Sequence, residues 1–209
     1  MAPPAIMPTV PCALALIGSR ITGETREEKP KGLFLSLLFY PSFNLRALLL
    51  ARCGVPLVAA VSAPTIVVGR GLDGLPDGVR VTEDRYAVRS PLVGIHAGLA
   101  ASRTDLAFVT ACDMPHVEPT LVEFLLEQAA EADVVVPVVR GYYEPLCAVY
   151  RRSCITSIED LIERGVLKVS APYGRVRLRE IAEPPIRQHV PDLRSFVNLD
   201  PATPSPPTL

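Results

Sequence analysis

From Pro64 onward, short runs of β-branched residues alternate with segments whose apolar positions recur at helical spacing, and no other feature constrains the fold as strongly. Such an order is the signature of strand–helix–strand units wound about a central sheet. The chain is therefore expected to be α/β, three-layered and Rossmann-like, with a mostly parallel sheet. At 209 residues it is long enough to bury one substantial core. A single domain is expected over residues 1–201, followed by a proline-rich tail at 202–209 that is not expected to pack.

The strands are expected at Cys12 to Ile17, Thr65 to Val68, Val79 to Thr82, Leu106 to Cys112, Asp133 to Val139, Pro145 to Tyr150 and Arg175 to Ile181. Arg140-Gly141 reads as a turn joining two of them, which places an antiparallel portion near the C-terminus. Ser90-Pro91 is a helix start, with a hydroxyl N-cap and a proline whose missing N–H costs nothing in the first turn. Thr120/Glu123 and Thr156/Glu159 have the spacing of capping boxes, and Gly165 can close the second helix in the left-handed conformation.

A net charge of −1 gives no field to gather nucleic acid. The greasy stretches Gly32 to Tyr40 and Leu45 to Val61 are too short or too interrupted to span a bilayer. The N-terminus lacks the basic region of a secretory signal, and the five cysteines form no CxxC pair, so a reducing, cytoplasmic setting is expected. His96, His116 and His189 have no metal-ligand spacing and read as ordinary histidines.

Three segments carry the chemistry: Glu83-Asp84, then Ser90-Pro91-Leu92-Val93-Gly94, then Thr110-Ala111-Cys112-Asp113-Met114-Pro115. An acid leaving the carboxyl end of a central strand sits where open α/β sheets bind ligands, and a hard carboxylate there suits magnesium carried by phosphates. Asp113 is thus the candidate metal ligand, although a C-D-x-P can equally be a capped turn. Asp84 offers acceptor sites for a ribose or base. Gly94 and Gly98, one helical turn apart, leave a bare stripe for a base or for tight helix packing.

Together these residues resemble the molybdenum cofactor guanylyltransferases, the MobA-like nucleotidyltransferases, whose pattern has an acid, a G-P-L-A-G turn into a helix and a C-D-x-P. The resemblance runs from about Pro64 to Pro201 and includes Glu144-Pro145-Leu146 and the Phe196-Val197-Asn198-Leu199-Asp200 ending. It implies a nucleotidyltransferase fold and transfer of GMP from GTP to the phosphate of molybdopterin, with Mg2+ as cofactor and pyrophosphate released. Cofactor-biosynthesis proteins or a molybdoenzyme are the further partners it suggests. It also implies roles: Asp113 for the metal and catalysis; Asp84, Gly69, Pro91, Leu92 and Gly94 for the nucleotide; Glu144, Asn198 and Asp200 for the acceptor. The alternatives are a relative using CTP or another phosphorylated acceptor, or a nucleotide-binding protein with impaired catalysis.

The first third departs from the pattern. The family opens with L-A-G-G-x-S-x-R-M-G-x-D-K, whose amides and basic residues cradle a triphosphate. Here Leu16, Gly18 and Arg20 can be aligned as nucleotide contacts and Lys29 as the catalytic lysine, with Lys31 an alternative, but the second glycine and the R-M-G-x-D-K run are missing. Gly54-Val55-Pro56-Leu57 resembles a displaced G-x-P-L. A compensating insertion and deletion in the coding DNA would produce good matches on both sides of a poor stretch, and resequencing would reveal them.

Overall fold

The computed structural model describes residues 14–17, 65–70, 79–111, 113, 114 and 116–198. Its centre is an eight-stranded sheet. The strands are β1 (Leu14–Ile17), β2 (Thr65–Val68), β3 (Val79–Thr82), β4 (Leu106–Ala111), β5 (Val134–Val139), β6 (Tyr142–Tyr143), β7 (Cys147–Arg151) and β8 (Leu178–Ile181). They lie in the order β3-β2-β1-β4-β7-β5-β6, with β8 also paired to β5.

β2 and β3 are parallel, as are β5 and β8, whereas β1 is antiparallel to β2 and β4, and β7 to β4 and β5. Thus β2, β3, β4, β5 and β8 share one direction, and β1 and β7 run against it. The reversal of β7 is the expected antiparallel portion. That of β1 has no counterpart in the pattern of apolar runs, because a buried strand reads the same in either direction. Leu14 pairs with Ala111 and Ile17 with Phe108, so the last residue of β1 lies away from the carboxyl end of β4.

β2, with the sequence TIVV, is buried at every position, as befits a strand covered on both faces. Pro137 is tolerated inside β5 because the ladder to β7 is confined to Val134 and Val135, after which β5 turns to the short β6. Arg140 and Gly141 both adopt positive φ (52° and 82°), the geometry of a two-residue hairpin turn that only glycine reaches without strain.

Among the described residues four α-helices cover the two faces: α1 (Pro91–Ala101), α2 (Pro119–Glu127), α3 (Cys154–Glu163) and α4 (Glu183–His189). One core joins Leu121, Val122, Leu125 and Ile186 to Phe108, Val135 and Val149 of the sheet. The other joins Leu92, Ile95, Leu99, Ile158 and Ile162 to Val109, Val136 and Tyr150. Two helix layers therefore sandwich the sheet. Full burial of Leu92, Ile95 and Leu99 is worth roughly 1.5–3 kcal/mol each.

α1 begins as expected, with Ser90 extended (φ −157°) and its hydroxyl accepting from Leu92 N–H at 3.2 Å. The two proposed capping boxes do not form. α2 starts at Pro119 behind Glu118, and α3 at Cys154 behind Ser153, neither with a side-chain cap bond. The helices begin one and two residues ahead of the threonines, so Thr120 and Thr156 lie inside the first turn and not at the N-cap, while Glu118 binds Arg194 and the Ser153 hydroxyl donates to Asp133 at 3.0 Å. α3 closes as the sequence implies, with Gly165 at φ 74° and Val166 N–H returning to Leu161 O at 2.8 Å. No helix among the described residues is long and apolar enough to cross a membrane.

Candidate functional site at the carboxyl edge of the sheet

The sheet delivers the candidate residues to one edge. Beyond the end of β2, Gly69 N–H donates to Thr82 O at 2.9 Å and so keeps β2 and β3 joined at their carboxyl ends. The next residue, Arg70, reaches Asp84 at 2.9 Å and Glu83 at 3.7 Å. Asp84, meant by the sequence reading for a nucleotide, thus already holds a guanidinium. A ligand must share or displace it.

The chain from Asp84 leads to Ser90, whose hydroxyl serves two partners: it accepts from Leu92 N–H and donates to Leu167 O at 2.9 Å. The start of α1 is thereby tied to the connection that follows α3. Pro91 is half-buried and Leu92 and Gly94 fully buried, so close packing, with no bare surface, occupies the glycine stripe. Free N–H groups at the start of a helix favour an anion, and α1 presents its start at this edge.

Asp113 lies two residues beyond the end of β4. Its Oδ1 is buried with no hydrogen-bond partner among the described residues, and burial pushes its carboxyl up from the ordinary value. An orphaned buried acceptor is costly and is the kind of atom a cation satisfies. β5 brings the chain to the same edge and β7 leaves from it: Ala111 N–H donates to Leu146 O at 3.1 Å, setting the Glu144–Leu146 corner beside the Asp113 loop. Burial also raises the Glu144 carboxyl, with Arg140 opposing.

The loop after Asp113 is clasped from afar. Ser195, fully buried, accepts from Glu118 N–H at 3.0 Å and donates to His116 O at 2.9 Å, while Arg194 pairs with Glu118. Asn198 follows this clasp and is exposed. Leu16 lies within β1, paired with Ile66 and Val109. Gly18, Arg20, Lys29 and Asp200 lie outside the described residues.

His96 is buried beneath the edge, its ring 5.4 Å from Tyr86 and its Nε2 3.6 Å from Glu159. Burial pulls its pKa down against the pull of Glu159, consistent with a neutral core histidine. Sequence reasoning missed Arg70, Ser195 and the Ser90–Leu167 bond. Arg70 borders Gly69 and could have been found from that position, whereas Ser195 and Leu167 carry no local signal.

No group of three or more His, Cys, Asp or Glu side chains among the described residues forms a metal cage. A single buried carboxylate oxygen without a partner still fits magnesium, an ion that keeps several waters and needs few protein ligands.

Residues 47–177, well over half of the chain, match the MobA-like NTP transferase domain. The chain belongs to this family. Among curated relatives it is 38% identical over 136 residues to the molybdenum cofactor guanylyltransferase of Desulfosudis oleivorans, covering 65% of this chain and 67% of that protein. It is 40% identical over 134 residues to the probable molybdenum cofactor guanylyltransferase of Methanosarcina mazei, covering 62% of this chain and 59% of that protein. Among solved structures it resembles molybdopterin-guanine dinucleotide biosynthesis protein A from Archaeoglobus fulgidus, with a TM-score of 0.58 and 25% identity over 69% of this chain and 77% of that one.

The MobA-like match reaches further upstream than the motif resemblance, which begins near Pro64, and takes in Gly54 to Leu57. Gly18, Arg20 and Lys29 precede it.

Proposed function

We propose that the chain transfers a guanylyl group from GTP to the phosphate of molybdopterin, releasing pyrophosphate, as a step of molybdenum cofactor biosynthesis in the cytoplasm. The relatives' names support the substrates, and the observation that carries the chemistry is the buried, unpartnered oxygen of Asp113 at the carboxyl edge. In the reaction an oxygen of the acceptor phosphate forms a bond to the α-phosphorus of GTP. The bond from that phosphorus to the bridging oxygen breaks, and pyrophosphate leaves with the electron pair.

Little covalent help is needed; positioning and charge neutralisation carry such a transfer. Asp113 would hold the magnesium, which supplies charge neutralisation at the phosphates when bound. The start of α1 would face the nucleotide, with Asp84 and Arg70 as acceptor and donor beside it and Gly69 allowing close approach. Glu144 and Asn198, with Asp200, would face the acceptor.

A second reading, a catalytically impaired relative, is favoured by the position of Gly18, Arg20 and Lys29 ahead of the matched domain. Calorimetric titration with GTP, CTP and ATP, each with and without magnesium, separates the two. Magnesium-dependent preference for GTP, followed by pyrophosphate release on adding molybdopterin, is expected. Preference for CTP, or no binding to any, would refute the proposal.

A further inference from the structure

The corner between β6 and β7 presents three carbonyls in succession, those of Glu144, Pro145 and Leu146, and each has a partner. Cys147 N–H donates to Glu144 O at 3.0 Å, and Ala111 N–H to Leu146 O at 3.1 Å. Pro145 O, between them, depends on a side chain: the Tyr150 hydroxyl donates to it at 2.9 Å. Glu144 N–H in turn donates to Pro137 O at 2.9 Å. The Glu144 carboxylate, half-buried, accepts no hydrogen bond among the described residues.

Tyr150 has a partner behind it. Its one hydroxyl proton is committed to a carbonyl, which can only accept, so the Tyr173 hydroxyl 3.0 Å away is the donor between the two phenols. The order is therefore fixed: Tyr173 donates to Tyr150, and Tyr150 to Pro145 O. Both rings are buried, and burial pushes both phenols well above their ordinary value, so neither link is lost by titration near neutral pH. A buried hydroxyl that accepts one bond donates the next more strongly. The Tyr173 ring also meets Tyr143, the residue before Glu144, edge-on at 5.3 Å, and the Tyr143 hydroxyl donates to Glu180 of β8. These contacts begin and end on the same corner and grip it on both sides of Glu144.

We propose that Tyr150 and Tyr173 are positioning residues that act through Glu144. Their relay holds Pro145 O and so fixes the direction in which the Glu144 carboxylate meets N–H or O–H donors of the acceptor substrate. This rests on the guanylyltransferase reading for the acceptor and for the place of Glu144 beside it. A misplacement of about 1 Å is enough to weaken such a contact while the fold persists.

The test compares the full chain with Tyr150→Phe, Tyr173→Phe, Glu144→Ala and their double variants. Tyr150→Phe lowers kcat/KM for molybdopterin about five- to ten-fold, the size of one misdirected hydrogen bond, with the GTP dissociation constant unchanged. Tyr173→Phe costs about two- to three-fold, because Tyr150 still donates to Pro145 O, and adds nothing once Tyr150 is Phe. In the Glu144→Ala background Tyr150→Phe adds less than about two-fold, since the group it aims is gone. Tyr150→Phe equal to wild type, a matching fall in GTP affinity, or a loss that adds in full to that of Glu144→Ala overturns the proposal. If the wild-type chain transfers nothing, the function reading fails, and amide hydrogen exchange decides this one. Exchange at Glu144 and Cys147 accelerated by Tyr150→Phe beyond that at Phe108 and Val109 of β4 upholds it, and equal or absent acceleration overturns it.

Discussion

Removing the carboxylate of Asp133 should destabilise the protein by about 2–3 kcal/mol while leaving chemistry at the other end of the sheet intact. Asp133 stands just before β5, at the amino edge. It accepts the backbone N–H, Nε and Nη2 of Arg177 and the hydroxyl of Ser153, each at 3.0 Å. The Asp133 side chain is 14% exposed and that of Arg177 62% exposed, so the ion pair itself is worth about 1 kcal/mol or less. The backbone amide and the hydroxyl, both bonded to a charged acceptor, contribute the rest. For a chain of this size the loss corresponds to a fall in Tm of roughly 4–12 °C.

The hydrogen bonds from Arg177 hold the Asp133 carboxyl well below the usual range, against a smaller opposing effect of burial. Its folded pKa is depressed, so its contribution is complete above the unfolded value near 3.8 and is lost as pH falls through the folded value. Urea unfolding of wild type, Asp133→Ala and the Arg177→Met pair in a double-mutant cycle, at neutral pH and below pH 4, measures this. The gap between wild type and Asp133→Ala should narrow in acid. A gap below about 0.5 kcal/mol at pH 7, or one independent of pH, would falsify the account.

Asp113→Asn should have the opposite profile. Burial raises the folded pKa of this carboxyl, so its ionised form costs stability above the unfolded value, increasingly until the folded value is passed. At pH 7 the metal-free variant is expected to be at least as stable as wild type in thermal melts, while magnesium-dependent turnover falls about 100-fold or more. In wild type, turnover should rise with pH through the raised Asp113 value; a flat acid limb in a pH–rate profile argues against the metal assignment. Ser195→Ala strands His116 O and Glu118 N–H, and about 1–3 kcal/mol of stability should go with them in denaturant titrations. Its turnover should fall more than that of Asp133→Ala, and the reverse order would mean that the clasp does not position the Asp113 loop.

The sequence displayed the architecture where local physics determines it. Thr65–Val68, Val79–Thr82 and Pro91–Ala101 begin and end where β-branched runs, Gly69 and Ser90-Pro91 imply. It misled at Thr120 and Thr156, because a capping box is a local pattern and the helices start earlier, at Pro119 and Cys154, behind Glu118 and Ser153, which are tied to Arg194 and Asp133 across the fold. Asp113 was legible as the acid at the end of a buried strand. Arg70 on Asp84 and Leu167 on Ser90 were not, since each depends on which loops share an edge.

The Ser195 clasp also sets an order of events. His116 and Ser195 are separated by 79 residues, so the loop bearing Asp113 gains its fixed geometry only after four further strands and three α-helices have emerged. A nascent chain can build β4 and cover it long before that. The part of the molecule that would meet its substrates is therefore among the last to mature, and slow or interrupted synthesis would release chains whose sheet is sound but whose metal carboxylate is not yet aimed.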